Sequence, residues 1–150
     1  ACPEGQFAKV LDSMDEPVAL LGAPGEHALC ARLADGRPGV TNLAGQLSLL
    51  GMVAAVDMAK LVVVNDSAPL HVASAMDTPT VALFASTVPR FGFGPLATRS
   101  AVLESTEALG CRPCGMHGKR RCPEGHFRCG WQLPVQDVLQ AIAKLSQPAC

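Results

Sequence analysis

The stretch LVVVNDSAPLHVASAM, residues 61–76, decides how the rest of the chain reads. Four apolar residues run straight into Asn65, Asp66 and Ser67, and a helical pattern carrying His71 begins at once. A short, uninterrupted apolar run of this kind suits a strand buried on both faces, as in a parallel sheet. The polar residues therefore fall where a strand gives way to a helix. In open α/β sheets, ligands bind beyond the carboxyl ends of the strands, where the next helix offers unpaired N–H groups and the positive end of its dipole. Ser67 and Ala68 are small enough to let backbone amides approach an anion, Pro69 suits a first helical turn, and His71 faces the same cleft. A phosphate or pyrophosphate is the natural guest. The alternative is that Asp66 or Ser67 only caps the helix while His71 packs against a loop.

Working outward from this point, helix and strand signals alternate. Phe7, Val10, Leu11 and Met14 have helical spacing, and PVALLG at 17–22 is a short apolar run ended by glycine. A helix from about Glu26 to Ala34, a strand near Val40 to Leu43 and a helix opened by Ser48 as N-cap through Ala59 follow. After the strand LVVV come a helix from Pro69 to Met76, the strands TPTVALF and SAVLE, and a last amphipathic helix, Val135 to Leu145, with Val138, Ile142 and Leu145 on one stripe. The pattern predicts an α/β fold, a parallel sheet with helices on both faces. There are no internal repeats, and the strong shift in composition is at 110–130.

Composition narrows the class. A chain of 150 residues, 49% hydrophobic and 17% charged, can bury one ordinary core, so residues 1–150 read as a single domain. A net charge of −1 gives no overall reason to expect nucleic acid. The most apolar stretch, Leu47 to Val64, is interrupted by Asp57 and Lys60, which argues against a membrane span. ACPEGQFAKV has neither the basic start nor the apolar run of a signal peptide. Seven cysteines would suit a secreted disulfide scaffold, but such scaffolds are shorter and poorer in Ala, Val and Leu, so a cytoplasmic location is expected.

A second loop points the same way. LLGAPGEHALCARLA also runs from strand through a Gly/Pro turn into a helix and brings Glu26 to the same sheet edge. A carboxylate there could accept hydrogen bonds from both hydroxyls of a ribose. An acidic residue in a first helical turn is also what the helix dipole favours, so Glu26 gains force only beside the other loop. Together the two loops suggest a nucleotide.

GAPGEH, NLAGQLSLLGMVAAV, LVVVNDSAPLHVASAMDTPTVALFASTVPRFGFGP and the cysteine-rich stretch, in this order and spacing, resemble the C-terminal, donor-binding half of the heptosyltransferases, family 9 of the glycosyltransferases. The resemblance runs from about Cys2 to Leu145. It implies a two-domain GT-B enzyme whose Rossmann-like C-terminal half binds ADP-heptose and which moves heptose onto the inner core of lipopolysaccharide, without a metal or other cofactor in the chemistry. Glu26 corresponds to the acid that holds the adenosine ribose, and Gln46 and Leu47 to the turn that lines the adenine. Asp66, Ser67, Ala68 and His71 correspond to the loop and helix start that hold the diphosphate and sugar. Ala68 stands where members often have glycine, which would tighten the anion pocket. Thr87 to Gly94 resembles a loop near the interdomain cleft and is given no chemical role. No catalytic residue is assigned, because the general base is expected in the N-terminal domain. ACPEGQFAKVLDSM matches the helix after the family's first, central strand. The strand from Pro17 should then border an empty slot beside the strand from Leu61, or the two should close onto each other. The expectation is of a fragment, inactive as a transferase on its own and poorly stable.

The cysteines raise a separate question. Cys111, Cys114, Cys122 and Cys129 form C-x2-C-x7-C-x6-C, with His117 and His126 between them. In a reducing compartment such a cluster is a candidate for structural Zn²⁺, with disulfides, free thiols or a redox CxxC as alternatives. Cys2, Cys30 and Cys150 look unrelated to it. The same loop carries Arg112, Lys119, Arg120, Arg121 and Arg128 against Glu124, which would suit a phosphorylated lipid core or the inner face of the inner membrane, unless it is simply solvated. Two further classes stay open: a domain that only binds nucleotide, and a zinc-ribbon nucleic-acid module. The near-neutral charge and the lack of aromatic stacking residues around the cluster oppose the second.

Overall fold

The computed structural model describes residues 2–119 and 121–147. Helix α1 (Glu4–Leu11) leads into strand β1 (Val18–Leu20), a single 3-10 turn (Pro24–Glu26), helix α2 (His27–Ala34) and strand β2 (Val40–Asn42). Helix α3 (Leu49–Asp57) then returns the chain to strand β3 (Val62–Asn65), followed by α4 (Ala68–Ala75), β4 (Thr80–Phe84) and β5 (Ser100–Glu104). A short helix α5 (Arg128–Trp131) and the amphipathic α6 (Val135–Ser146) complete the order.

Every strand pair is parallel. β3, β4 and β5 form one sheet in that order, in which Val62 to Asn65 face Thr80 to Leu83 across the ladder. All five residues of β4 are buried, so it is the centre of this sheet, and its side chains alternate between two cores. Val81 and Leu83 pack with Val10 of α1 and Val138, Ile142 and Leu145 of α6. Ala82 and Phe84 pack on the opposite face with Val64 and with Leu70 of α4. Leu70 and Phe84 have no exposed surface. The sheet is therefore covered on both sides, as its apolar strands require.

The single continuous sheet suggested by the alternating pattern is divided. β1 pairs with β2 alone, Val18 opposite Val40, and these two strands form a separate sheet. Of the two expected outcomes, direct closure of β1 onto β3 does not occur among the described residues. Side chains link the two sheets near their strand ends. Glu16 before β1 meets Lys60 before β3 at 3.1 Å, and the backbone N–H of Cys2 donates to Asn65 Oδ1 at 2.7 Å. No helix among the described residues is long and apolar enough to cross a membrane.

Candidate functional site

The loops after β1 and β2 are pressed together at the carboxyl ends of those strands. The N–H of Gly45 donates to the Gly22 carbonyl at 2.9 Å, and His27 Nδ1 lies 3.0 Å from the Ala44 carbonyl. Gly45 has φ +76°, and a Cβ there would sit 2.8 Å from Pro24 Cα, so both its backbone conformation and its contact favour glycine. This packing sets the loop that carries Glu26 against the turn that leads to Gln46 and Leu47, and all three residues are exposed. Two of the three are partly committed to local bonds. Glu26 Oε2 accepts the Ala23 N–H at 2.7 Å, and Gln46 Nε2 donates to the Asn42 carbonyl at 2.8 Å. Glu26 thus has a local bonding role beside the dipole preference weighed for it, with a carboxylate that remains at the surface.

The second group stands beyond β3. Ser67 is the N-cap residue of α4 in extended conformation (φ −162°), yet neither it nor Asp66 caps the helix with its side chain. Ser67 Oγ instead donates back to the Asn65 carbonyl at 3.2 Å. The first turn of α4 consequently has Ser67 and Ala68 exposed at its start, Pro69 in its first positions and no side chain bonded across it. His71 is exposed in the same turn. Helix α3, which follows the turn at Gln46 and Leu47, packs on α4.

Phe93, given no role from the sequence, lies next to His71 and links it to the cysteine-rich loop. The Phe93 ring, in the loop after β4, meets the His71 ring edge-on with centroids 6.2 Å apart, and meets His117 of the cysteine-rich loop at 5.9 Å. Arg112 fastens that loop to the end of β4. Its guanidinium is 12% exposed and donates to the carbonyls of Ala85 (2.7 Å), Phe84 (3.1 Å) and Thr87 (2.7 Å) and to Glu104 (2.5 Å). Arg128 pairs with Glu107. Of the five basic residues of this loop, Arg112 is thus held inside it, Arg128 is paired at the surface, and Arg120 lies outside the described residues. A cleft of about 780 Å³ lies on the Arg90, Glu104 and Arg112 side of the same loop, lined by none of the residues predicted to bind a donor.

The cysteine cluster gathers around Cys129. Cys129 is buried on α5, and its thiol is pushed up by that burial, then by the nearby Cys114, Cys122 and Cys111. Each of the other sulfurs has its own neighbour. Cys111 Sγ lies 3.9 Å from His126 Nε2, Cys114 Sγ donates to the Cys111 carbonyl at 3.4 Å, and Cys122 Sγ accepts the Phe127 N–H at 3.3 Å. Among the described residues no three His, Cys, Asp or Glu side chains are grouped closely enough to hold an ion. All four are free thiols.

Parallel strands covered on both faces, with polar loops at their carboxyl ends, define the class as a Rossmann-like α/β domain of the kind found in GT-B glycosyltransferases. Residues 2–125 match the family described as glycosyltransferase family 9 (heptosyltransferase), and the chain belongs to that family. Lipopolysaccharide heptosyltransferase 2 of Salmonella typhimurium is 33% identical over 147 residues, which are 93% of this chain and 40% of the relative. The structure of E. coli ADP-heptose lps heptosyltransferase II superposes with a TM-score of 0.75 at 25% identity, over 96% of this chain and 41% of that one. E. coli heptosyltransferase WaaC with ADP-2-deoxy-2-fluoro heptose gives 0.65 at 25% identity, over 95% of this chain and 38% of that one. The chain therefore spans about two-fifths of the length of these relatives.

Proposed function

We propose that this chain is the donor-binding part of a heptosyltransferase that moves heptose from ADP-heptose to the inner core of lipopolysaccharide. Family membership, the names of the relatives and the ADP-sugar in one similar structure support this reading. The observation that carries it is the start of α4, where Ser67 Oγ turns back to the Asn65 carbonyl and, among the described residues, no side chain caps the first turn. Glu26 would accept the ribose hydroxyls, the turn at Gln46 and Leu47 would line the adenine, and Asp66, Ser67, Ala68 and His71 would hold the diphosphate and sugar.

The chemistry follows from where charge develops. As the bond between the sugar and the diphosphate breaks, negative charge grows on the departing ADP, and oriented amides with a donating His71 stabilise it in place. The acceptor hydroxyl must lose a proton, and its base belongs to the N-terminal domain of the full enzyme. Work at a lipid-linked acceptor places the enzyme at the inner face of the membrane, as a peripheral protein.

Calorimetry with ADP tests the site. In the full-length protein, Ser67→Trp fills the approach to the helix start and is expected to weaken ADP about tenfold or more, roughly 1.4 kcal/mol. Unchanged affinity would place the diphosphate elsewhere.

A further inference from the structure

We propose that the cysteine-rich loop supplies the far wall of the donor site, with Phe93 and His117 as residues that contact the diphosphate-sugar end of the ligand and Arg112 as the positioning residue that holds them there. This rests on the donor-site reading above and adds binding residues to it.

Ring contacts give the direction. The β1–β2 pair is tied to the approach to β3 by the Glu16–Lys60 contact, and α4 follows β3, which pairs with β4. A nucleotide whose ribose is held at Glu26 and whose phosphates reach the start of α4 has the loop that follows β4 beside its phosphate end, because Phe93 of that loop meets His71 of α4. Phe93 is in that loop, and its ring stands between His71 and His117, 6.2 and 5.9 Å from their centroids. Both histidines are exposed and Phe93 is half-buried, so the three rings present an open face rather than a packed core. Two imidazoles flanking an aromatic ring offer N–H donors for phosphate or hydroxyl oxygens and an apolar surface for a sugar.

The placement of His117 is tightly determined. The N–H of Cys114 donates to the Ser86 carbonyl at 2.8 Å, just after β4. Gly118, next to His117, has φ +71°, and a Cβ there would lie 2.8 Å from Ser86 Oγ. Only glycine lets the loop press this closely on Ser86. Arg112 binds three carbonyls of residues 84–87 from within the same loop, so the Phe93 and His117 segments are fixed to one frame. A lysine, with a single point of charge, cannot reproduce that fork.

The test compares AMP, ADP and ADP-heptose binding to the full-length protein by calorimetry. His117→Leu is expected to weaken ADP and ADP-heptose about tenfold, the size of one lost hydrogen bond to a charged group, and to leave AMP unchanged. His117→Gln keeps an N–H donor and should recover most of the loss. Arg112→Lys should reproduce the pattern of His117→Leu while the protein still melts cooperatively. If the wild type binds all three ligands and His117→Leu and Phe93→Leu alter none, the wall is wrong and the donor site stands. Equal weakening of AMP, ADP and ADP-heptose together with a lowered melting temperature would mean a structural effect and would also overturn it. Failure of the wild type to bind ADP or ADP-heptose would remove the donor-site reading itself.

Discussion

At the residue scale the chain separates its thiols by environment. Burial pushes the Cys2 thiol up to about 12 and raises Cys30 and Cys129 as well. A thiolate is the reactive form, so these three should resist alkylation near neutral pH while the less buried Cys111, Cys114 and Cys122 react first. Mass spectrometry after brief iodoacetamide treatment checks the order, and early labelling of Cys129 would contradict its burial on α5. The sign for stability follows from the same shift. A folded-state value raised above 9.0 leaves the contribution of Cys2 intact below that pH and removes it as pH climbs toward about 12. The polar residues at the strand ends were legible in sequence because LVVV meets Asn65, Asp66 and Ser67 with no intervening turn. The contacts that join Phe93, His117 and Arg112 to the strand ends were not. One of them links Arg112 to Phe84, 28 positions apart, and no periodicity encodes such a contact.

At the scale of elements, local rules carried far because most elements here are short, apolar and clearly ended. Ser48 was expected to open a helix, and its Oγ accepts the Gly51 N–H at 3.1 Å at the start of α3. Ser48→Ala should therefore destabilise the protein by about 1 kcal/mol, a typical cap loss, measured as a lowered denaturant midpoint with an unchanged slope. α6 likewise buries Val138, Ile142 and Leu145, the stripe read from its spacing. The cysteine-rich stretch defeated such rules. Its helix α5 has only four residues, one of them Gly130, and no hydrophobic period can be seen over so short a span. What shapes that stretch is tertiary: the Arg112 fork onto β4 and the contact of Gly130 with Phe127 and Pro3, where a Cβ would lie within 2.8 Å of both.

At the scale of the whole molecule, the division into two sheets is the feature that sequence alternation concealed. Strand signals show that each strand is buried but not which neighbour it pairs with, and here β1 and β3 end in different sheets. The resemblance to the family pointed to this place, since it put the strand from Pro17 and the strand from Leu61 beside a slot. Among the described residues β3 is bonded on one side, to β4, whereas β4 is bonded on both. A strand with one bonded edge opens more easily and exposes a template for other strands. Hydrogen exchange on these 150 residues should therefore show β4 amides protected to the level of global unfolding, and β3 amides that do not face β4 exchanging through smaller openings. If a further strand covers that edge, the same β3 amides should gain protection, while the β4 amides change with overall stability alone. Equal protection of both β3 edges in the 150-residue chain would mean that its sheet is already closed, and that the separation of β1 from β3 does not describe the molecule in solution.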